Sequence, residues 1–554
     1  MSGQPGDPPG PVTPTPGEPG EIAHGEPTPS PAATTGGLLR SSAVVSVGTA
    51  VSRVTGLVRT MAIAFALTAG LADAYNLANT APNVVYDLIL GGVLAATLVP
   101  VLVSVTERGD NQGVRSVVTV ITVALVALTA VAFLAAPGIV RLYTFSLDPA
   151  ERAAQESVAV PLLRLFMPQV LFYGLTALFS ALLNARRRFA AAAFAPALNN
   201  IVVIVVLLAV RRMASGDPTV DGVLNDTGLL WLLGAGTTLG IVAMALVLVP
   251  AVRAAGLPLA PTRHWRHPAV RRIAMLSGWT LAYVVVNQVG FVVLLALANS
   301  SAGAGSLSAY SYAYLFFQLP YGLFAVAVMT AFLPELSQAA DAGDNRWFTE
   351  RFGTGLRLVA LVLLPCAVLY VALSSQLVEV LFSRGSFSAA SAGLTSEALM
   401  VFGASLPGFA VLMYTMRGFY ARKDTRTPFL IATGKVAVMV AVAWPLSRLG
   451  LGGVVAAFGV AFTLAAVVGL VILGRRTGGI MGAATTSSLA RTGLATAVML
   501  AVALVVPRGV AGTGALGALV DLVVVGAVAG GVYLAALAIL RSPDLGWAVA
   551  QVRS

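Results

Sequence analysis

Apolar residues run through this chain in long unbroken stretches, and the charged residues collect in the short gaps between them. Fourteen stretches stand out, the first six at about 42–68, 73–103, 115–137, 158–184, 190–210 and 228–251. Six more fall at about 273–298, 306–333, 356–376, 393–420, 428–447 and 451–474, and the last two at about 488–507 and 516–540. Each has roughly the 20 residues that a helix needs to cross a bilayer. The apolar positions are continuous and do not alternate with a period of two, which excludes a transmembrane β-barrel. The pattern predicts an all-α polytopic membrane protein with about 14 transmembrane helices.

The pattern also recurs. The second stretch ends in Leu98-Val99-Pro100-Val101-Leu102, with Gly109-Asp110-Asn111 following nine residues after the proline. The eighth ends in Phe332-Leu333-Pro334-Glu335-Leu336, with Gly343-Asp344-Asn345 at the same distance. A looser pair links Pro168 and Asn184-Ala185-Arg186 to Pro407 and Tyr420-Ala421-Arg422. Six spans therefore repeat as six in the same orientation. This predicts an N-terminal lobe over 39–255, a C-terminal lobe over 256–476, two extra spans within 477–541 and a cytoplasmic tail at 542–554. Parallel repeats of this kind are a transporter signature, with the substrate site between the halves.

Composition agrees with this picture. The chain is 57% hydrophobic and only 10% charged, with a mean hydropathy of +0.87, against roughly 25% charged in a soluble protein. Residues 1–38 are the exception: ten prolines with many Gly, Thr and Ser. They predict a disordered cytoplasmic tail, and they lack the basic start and apolar core of a signal peptide. The net charge is +11, but the basic residues lie between the spans, so no nucleic-acid partner is implied. With the N-terminus inside, seventeen Lys and Arg fall in cytoplasmic connections, among them Arg186, Arg187, Arg188, Arg422 and Lys423, against seven outside. This bias predicts a plasma-membrane protein with both termini cytoplasmic. Only Lys423 and Lys435 are lysines; the other basic residues are Arg.

Catalytic chemistry finds no support. The single cysteine, Cys366, permits no internal disulfide and no cysteine metal site. His24, His264 and His267 all lie outside the spans. There is no Walker A lysine, and the glycines of Gly512-Thr513-Gly514-Ala515-Leu516-Gly517 match a dinucleotide fingerprint without the βαβ unit it requires. The expectation is a transporter with no catalytic residue, metal or cofactor.

The informative residues are polar ones inside the spans. In span one, Ser46, Thr49, Arg53, Gly56 and Thr60 step by three and four and share a helical face. Ser52, Thr55 and Arg59 form an adjoining stripe. An arginine near a bilayer centre costs roughly 2.5–3.5 kcal/mol, so two in one span should face a wet cavity or a paired acid. A guanidinium suits phosphate oxygens, which points to anion binding. Span two carries Asp73, Asn76, Asn79, Pro82, Asn83, Tyr86 and Asp87. Asp87 is either a counter-ion for Arg53 or Arg59 or an ion-coupling group. Span seven contributes Asn287 and Gln288; span eight contributes Ser311, Tyr314, Gln318 and Tyr321, with a kink expected at Pro320. Such uncharged groups line cavities or bond helix to helix.

These residues resemble a known family. Ser52-Arg53-Val54-Thr55-Gly56-Leu57-Val58-Arg59, Asp73-Ala74-Tyr75 and Ala81-Pro82-Asn83 are similar to the opening of MurJ (MviN) proteins. Leu381-Phe382-Ser383-Arg384-Gly385-Ser386-Phe387 and the run from Phe419 through Tyr420-Ala421-Arg422-Lys423-Asp424-Thr425-Arg426-Thr427 to Pro428 resemble the same proteins. The resemblance covers about 40–540. It implies membership of the multidrug/oligosaccharidyl-lipid/polysaccharide exporter superfamily and flipping of lipid II, the undecaprenyl-pyrophosphate-linked peptidoglycan precursor. It also implies a V-shaped cationic cavity between two six-helix lobes, and a groove from the last two helices for the lipid tail. By position, Arg53, Arg59 and Asp73 match polar cavity residues of the family. The chain departs from the pattern at Tyr86, Asp87 and Gly91, where arginines and then a glutamate are usual, and at Leu315, where a cavity arginine falls. The cavity is therefore less cationic than the family type.

The expected substrate-binding residues are Arg53, Arg59, Asp73, Asn83, Asp87, Asn287, Gln288 and Gln318. The leading expectation is movement of lipid II from inner to outer leaflet by alternating access. Two alternatives stay open: another polyprenyl-linked glycan or a drug/cation antiporter on the same fold, and a scaffold recruiting cell-wall synthesis proteins through residues 1–38.

Overall fold

The computed structural model describes residues 35–86, 99–186, 188–276, 278–509 and 512–546. Asp87, Gly91 and the Pro-rich segment up to residue 34 lie outside them. The first lobe comprises α1 (Thr35–Ala66), α2 (Ala69–Tyr86), α3 (Val99–Glu107), α4 (Asn111–Leu134), α5 (Ala136–Thr144) and α6 (Pro149–Phe166). It continues through α7 (Pro168–Ala185), α8 (Ala190–Met213), α9 (Val220–Asn225), α10 (Thr227–Leu246) and α11 (Leu248–Ala254). A linker carrying α12 (Pro268–Leu276) leads to the second lobe: α13 (Gly278–Asn299), α14 (Ser306–Pro320), α15 (Val326–Asp341), α16 (Asn345–Phe382), α17 (Ala389–Ala421), α18 (Arg426–Leu446) and α19 (Leu451–Thr477). The last two helices are α20 (Ala483–Val505) and α21 (Ala515–Ile539).

All regular structure among the described residues is helical. Among the described residues, twelve segments are long and apolar enough to cross a membrane, and each covers one predicted span. The 32-residue α1 covers the first predicted span. The second begins in α2 and ends in α3, with residues 87–98 between them outside the described set. Large apolar side chains such as Val205, Trp231, Val467 and Val523 are exposed on the outer faces, as lipid-facing positions should be.

The sequence repeat is a repeat of helix-ending devices. Gly109 (φ 66°) and Gly343 (φ 70°) adopt the left-handed conformation that closes a helix. The next residue in each case caps the following helix. Asp110 accepts from Gly113 N at 2.7 Å, and Asp344 accepts from Trp347 N at 2.9 Å. The looser pair behaves likewise. Arg188 N donates to Leu183 O at 2.9 Å after α7, and Asp424 N donates to Phe419 O at 3.0 Å after α17.

In the first lobe α8 packs on α1 and α10, while α6 and α7 hold α2, α4 and α10. In the second, α17 is central, against α14, α16 and α19, and α18 bridges α13 and α19. The core there is aromatic: Phe317 lies 5.1 Å from Phe402, 4.9 Å from Phe409 and 5.6 Å from Phe458 between ring centres. Contacts like these, worth roughly 0.5–1.5 kcal/mol each beyond area burial, make a stiff wall behind α14. Helices α20 and α21 pack on α16. Arg357 on α16 donates to Asp544 at 2.9 Å, and Ser488 on α20 bonds the same carboxylate.

Hydrogen bonds between the lobes gather at one end of the molecule, around the α1–α2 turn and the start of α14. Asp73 accepts from Gly305 N at 2.6 Å and from Ser308 N at 2.8 Å. Asn76 Nδ2 donates to Ser308 Oγ at 2.9 Å. Ser146 donates to Ala296 O, Gln155 and Asn299 exchange amide bonds, and Ser386 N donates to Phe65 O. Asp73 thus caps, from the first lobe, a helix of the second.

Candidate functional site between the lobes

The polar stripe of α1 is positioned by its packing on α8. A Cβ added to Gly48 would sit 2.7 Å from Ala193 Cβ, so the two helices touch closely there. Asn200 on α8 donates to Ser52 O at 3.2 Å and to Thr55 Oγ1 at 3.0 Å. These bonds hold one side of α1 against α8 and leave the Thr49–Arg53–Gly56 face free. That face borders a cavity of about 410 Å³ between the lobes. Thr49, Ser52, Arg53, Gly56 and Leu57 line it from α1, Ala192, Ala193 and Pro196 from α8, and Leu315 and Leu319 from α14.

Arg53 is the exposed cation of this cavity. Its guanidinium lies against Gly322, where a Cβ would meet Nη2 at 3.4 Å. Gly322 belongs to the π-helical turn Tyr321–Ala325 that follows Pro320, at the place where a proline kink was expected. Among the described residues no carboxylate pairs with Arg53 or Arg59. Arg59 is half-buried farther along α1, and its buried Nε has no hydrogen-bond partner. A guanidinium that is both charged and under-bonded is ready to accept an anion.

The remaining candidates do not gather around Arg53. Asp73 is in the inter-lobe clasp. Asn83, half-buried on α2, donates to Asn79 O of its own helix at 2.9 Å. Asp87 lies outside the described residues. Asn287, Gln288 and Gln318 line a second cavity of about 250 Å³ inside the C-terminal lobe, with Tyr310, Tyr314, Lys435 and Phe462. Helix α14 separates the two cavities: Leu315 and Leu319 face the first, and Tyr310, Tyr314 and Gln318 face the second. Leu315, the position expected to lack an arginine, does stand in the wall of the Arg53 cavity.

Three residues went unassigned in the sequence. Asn200 is one polar residue in an apolar span, with nothing to mark it as the α1 anchor. Ser308 gives no signal, because what Asp73 and Asn76 grip is chiefly a helix N-terminus. Lys435 did carry a signal: a lysine in mid-span is a functional candidate by default.

Comparison with known proteins follows this geometry. The family model described as "Lipid II flippase MurJ" matches residues 62–525. A probable lipid II flippase MurJ of Rhizobium meliloti is 30% identical over 425 residues, covering 74% of this chain and 75% of that protein. A lipid II flippase MurJ of Burkholderia cenocepacia is 30% identical over 411 residues, covering 72% and 77%. Among solved structures, a lipid II flippase MurJ in an inward closed conformation aligns with a TM-score of 0.70 at 21% identity, over 89% of this chain and 98% of that one. An inward-facing multidrug transporter of the MATE family and MOP superfamily aligns at 0.62 and 15% identity, over 77% and 94%. At these identities the two structures speak for the fold alone.

Proposed function

The chain belongs to the lipid II flippase MurJ family, and on that footing we propose that it moves lipid II across the membrane through the cavity between its lobes, with Arg53 receiving the diphosphate. The supporting observation is the Arg53 guanidinium itself, exposed in an inter-lobe cavity with no described carboxylate to neutralise it. A fixed guanidinium offers forked hydrogen bonds to diphosphate oxygens. Arg59, with its unpartnered Nε, extends the positive field along α1. No bond in the cargo is made or broken, so the chain acts as a transporter and not as an enzyme.

Both termini face the cytoplasm in this reading, which the Lys and Arg bias of the connections supports. The clasp at Asp73 is then the outer end, and the cavity is reached from the inner leaflet. The moving bodies are 39–255 and 256–476. Carrying the cargo outward requires the bonds of Asp73 and Asn76 to α14 to break while the opposite end closes. The Pro-rich composition of residues 1–38 supports their use as a docking segment for cell-wall synthesis proteins.

The test is lipid II exposure in cells depleted of their own flippase. Wild type should restore lipid II reachable by an enzyme added outside, and Arg53→Ala, expressed and folded, should not. Normal exposure with Arg53→Ala would remove Arg53 from the site. No rescue by folded wild type would favour another polyprenyl-linked glycan, consistent with the apolar Leu315 in the cavity wall.

A further inference from the structure

The C-terminal lobe holds a charge that the path described above leaves unused. Lys435, in the middle of α18, is 7% exposed. Its Nζ donates to Asn287 Oδ1 at 2.6 Å and stands 4.2 Å from the centre of the Phe462 ring. Asn287 is fixed in turn, its Nδ2 donating to Tyr283 O at 2.8 Å. The cavity of about 250 Å³ opens beside the amine. Tyr310 lines that cavity too; it is 1% exposed and its hydroxyl has no partner among protein atoms. A polar space of this size, with an unsatisfied hydroxyl and an amine at its wall, is suited to hold water.

No Asp or Glu occurs in α13, α14, α18 or α19. The titratable groups facing the cavity besides Lys435 are the phenols of Tyr310 and Tyr314 on α14; α13 carries Tyr283 one turn before Asn287, outside the cavity lining. On α17 the charged groups are Glu397, which bonds Gly452 N at the far end of α19, and Arg417. Arg476 closes the other end of α19 and is paired with Asp424, and Arg448 lies in the turn after α18. None of these is a negative partner for Lys435. A carboxylate would pin the amine in its charged form. Asn287 Oδ1 does not, because it carries no charge and can accept from a neutral amine as well as, more strongly, from an ammonium. The Phe462 ring favours the ammonium, while removal from water disfavours any charge. Both protonation states are therefore open to this group. The arginines of α1 have no such freedom, since a guanidinium stays charged.

Deepening the transport reading and resting on it, we propose that Lys435 is the proton-loading group of the C-terminal lobe and couples lobe movement to a proton gradient. The lone pair on Nζ takes a proton delivered as hydronium from the acidic side, leaving a neutral water and giving an ammonium held by Asn287 and Phe462. Returning that proton to water restores the neutral amine, and nothing else is consumed. The change is felt by α14, which walls both cavities and whose N-terminus Asp73 grips. Charge arriving behind α14 thus bears on the helix that closes the outer end.

The experiment uses the full-length protein in liposomes containing lipid II, with flipping read by an added lipid II-degrading enzyme. Wild type should accelerate under a pH difference of one sense, by up to about tenfold per unit. Lys435→Gln and Lys435→Arg should still equilibrate lipid II but ignore the pH difference. A Lys435→Gln protein that responds like wild type overturns the proposal, as does a wild type that follows sodium or anion composition and not pH. A folded wild type that flips no lipid II under any condition contradicts the transport reading instead. A second measurement then decides the proton site without transport or loss of Lys435. In Lys423→Arg protein labelled with ¹⁵N-lysine, Lys435 gives the single Nζ resonance. It should pass between ammonium and amine within the pH range in which the protein stays folded. A resonance that remains ammonium throughout overturns the proposal.

Discussion

Asp424 illustrates how one residue of a recognisable motif earns its place by structure. It sits in the turn between α17 and α18, outside the membrane-spanning segments. Burial alone would push its carboxyl up. The hydroxyl and N–H of Thr427 and the guanidinium of Arg476 outweigh that and hold it below the ordinary 3.8. Arg476 also bonds Thr427 Oγ1 at 3.0 Å and lies over the Phe419 ring. The run from Phe419 to Pro428 is therefore a pin that joins α17, α18 and α19. Because the folded carboxyl is the stronger acid, its stabilisation is complete above the unfolded value and disappears as pH falls through the folded one. Asp424→Asn should lower the thermal midpoint at neutral pH, and the gap to wild type should close as pH drops below 3.8. A gap that is constant down to lower pH would contradict this account. Arg53 is the opposite case: no carboxylate among the described residues pairs with it, and in the proposed reading the diphosphate of the cargo takes that place.

At the scale of elements, α14 is the helix shared by the clasp and both cavities. Its N-terminus is capped from the other lobe, one face walls the Arg53 cavity and the adjoining face walls the Lys435 cavity. Removing an N-cap costs about 0.5–2 kcal/mol. Asp73→Ala should release α14 by that amount and raise the population open at the clasp end by about two- to thirtyfold. The reading is the labelling rate of a cysteine at Ser311, with Cys366 replaced, by a membrane-impermeant thiol reagent added outside. An unchanged rate would mean that Asp73 does not hold the closed state. The spans themselves were legible because a continuous apolar run of this length has one main use in a protein this apolar. The repeat was legible through Pro100 and Pro334 and the Gly-Asp-Asn turns, since helix ends have strict chemistry. The role of Asp73 was not. It was expected beside Arg53, but it borders a separate cavity of about 270 Å³ at the clasp, and its carboxylate accepts from backbone N–H groups 232 and 235 positions away. Sequence spacing does not encode such a pairing. Asn287, Gln288 and Gln318 line a cavity, and which side of α14 they serve depends on how the lobe packs around its aromatic core.

For the whole molecule, the described hydrogen bonds make one end of the inter-lobe seam adherent, with the Arg53 cavity inside it. The hydrogen bonds of the seam are a handful, each worth roughly 1 kcal/mol net, and they lie beside apolar packing, since one buried cluster runs from α2 and α5 into α13 and α14. Alternating access requires the two lobes to part at this end without unfolding, breaking both the bonds of the clasp and the apolar contacts beside them. The most direct test is to prevent the parting. Cysteines at Asn76 and Ser308, with Cys366 replaced, would be joined by a short bis-thiol reagent, and lipid II flipping measured in liposomes before and after. Flipping that stops when the two are bridged, while each single-cysteine protein treated alike continues, is the predicted result. Flipping that persists in fully bridged protein would contradict passage between separating lobes.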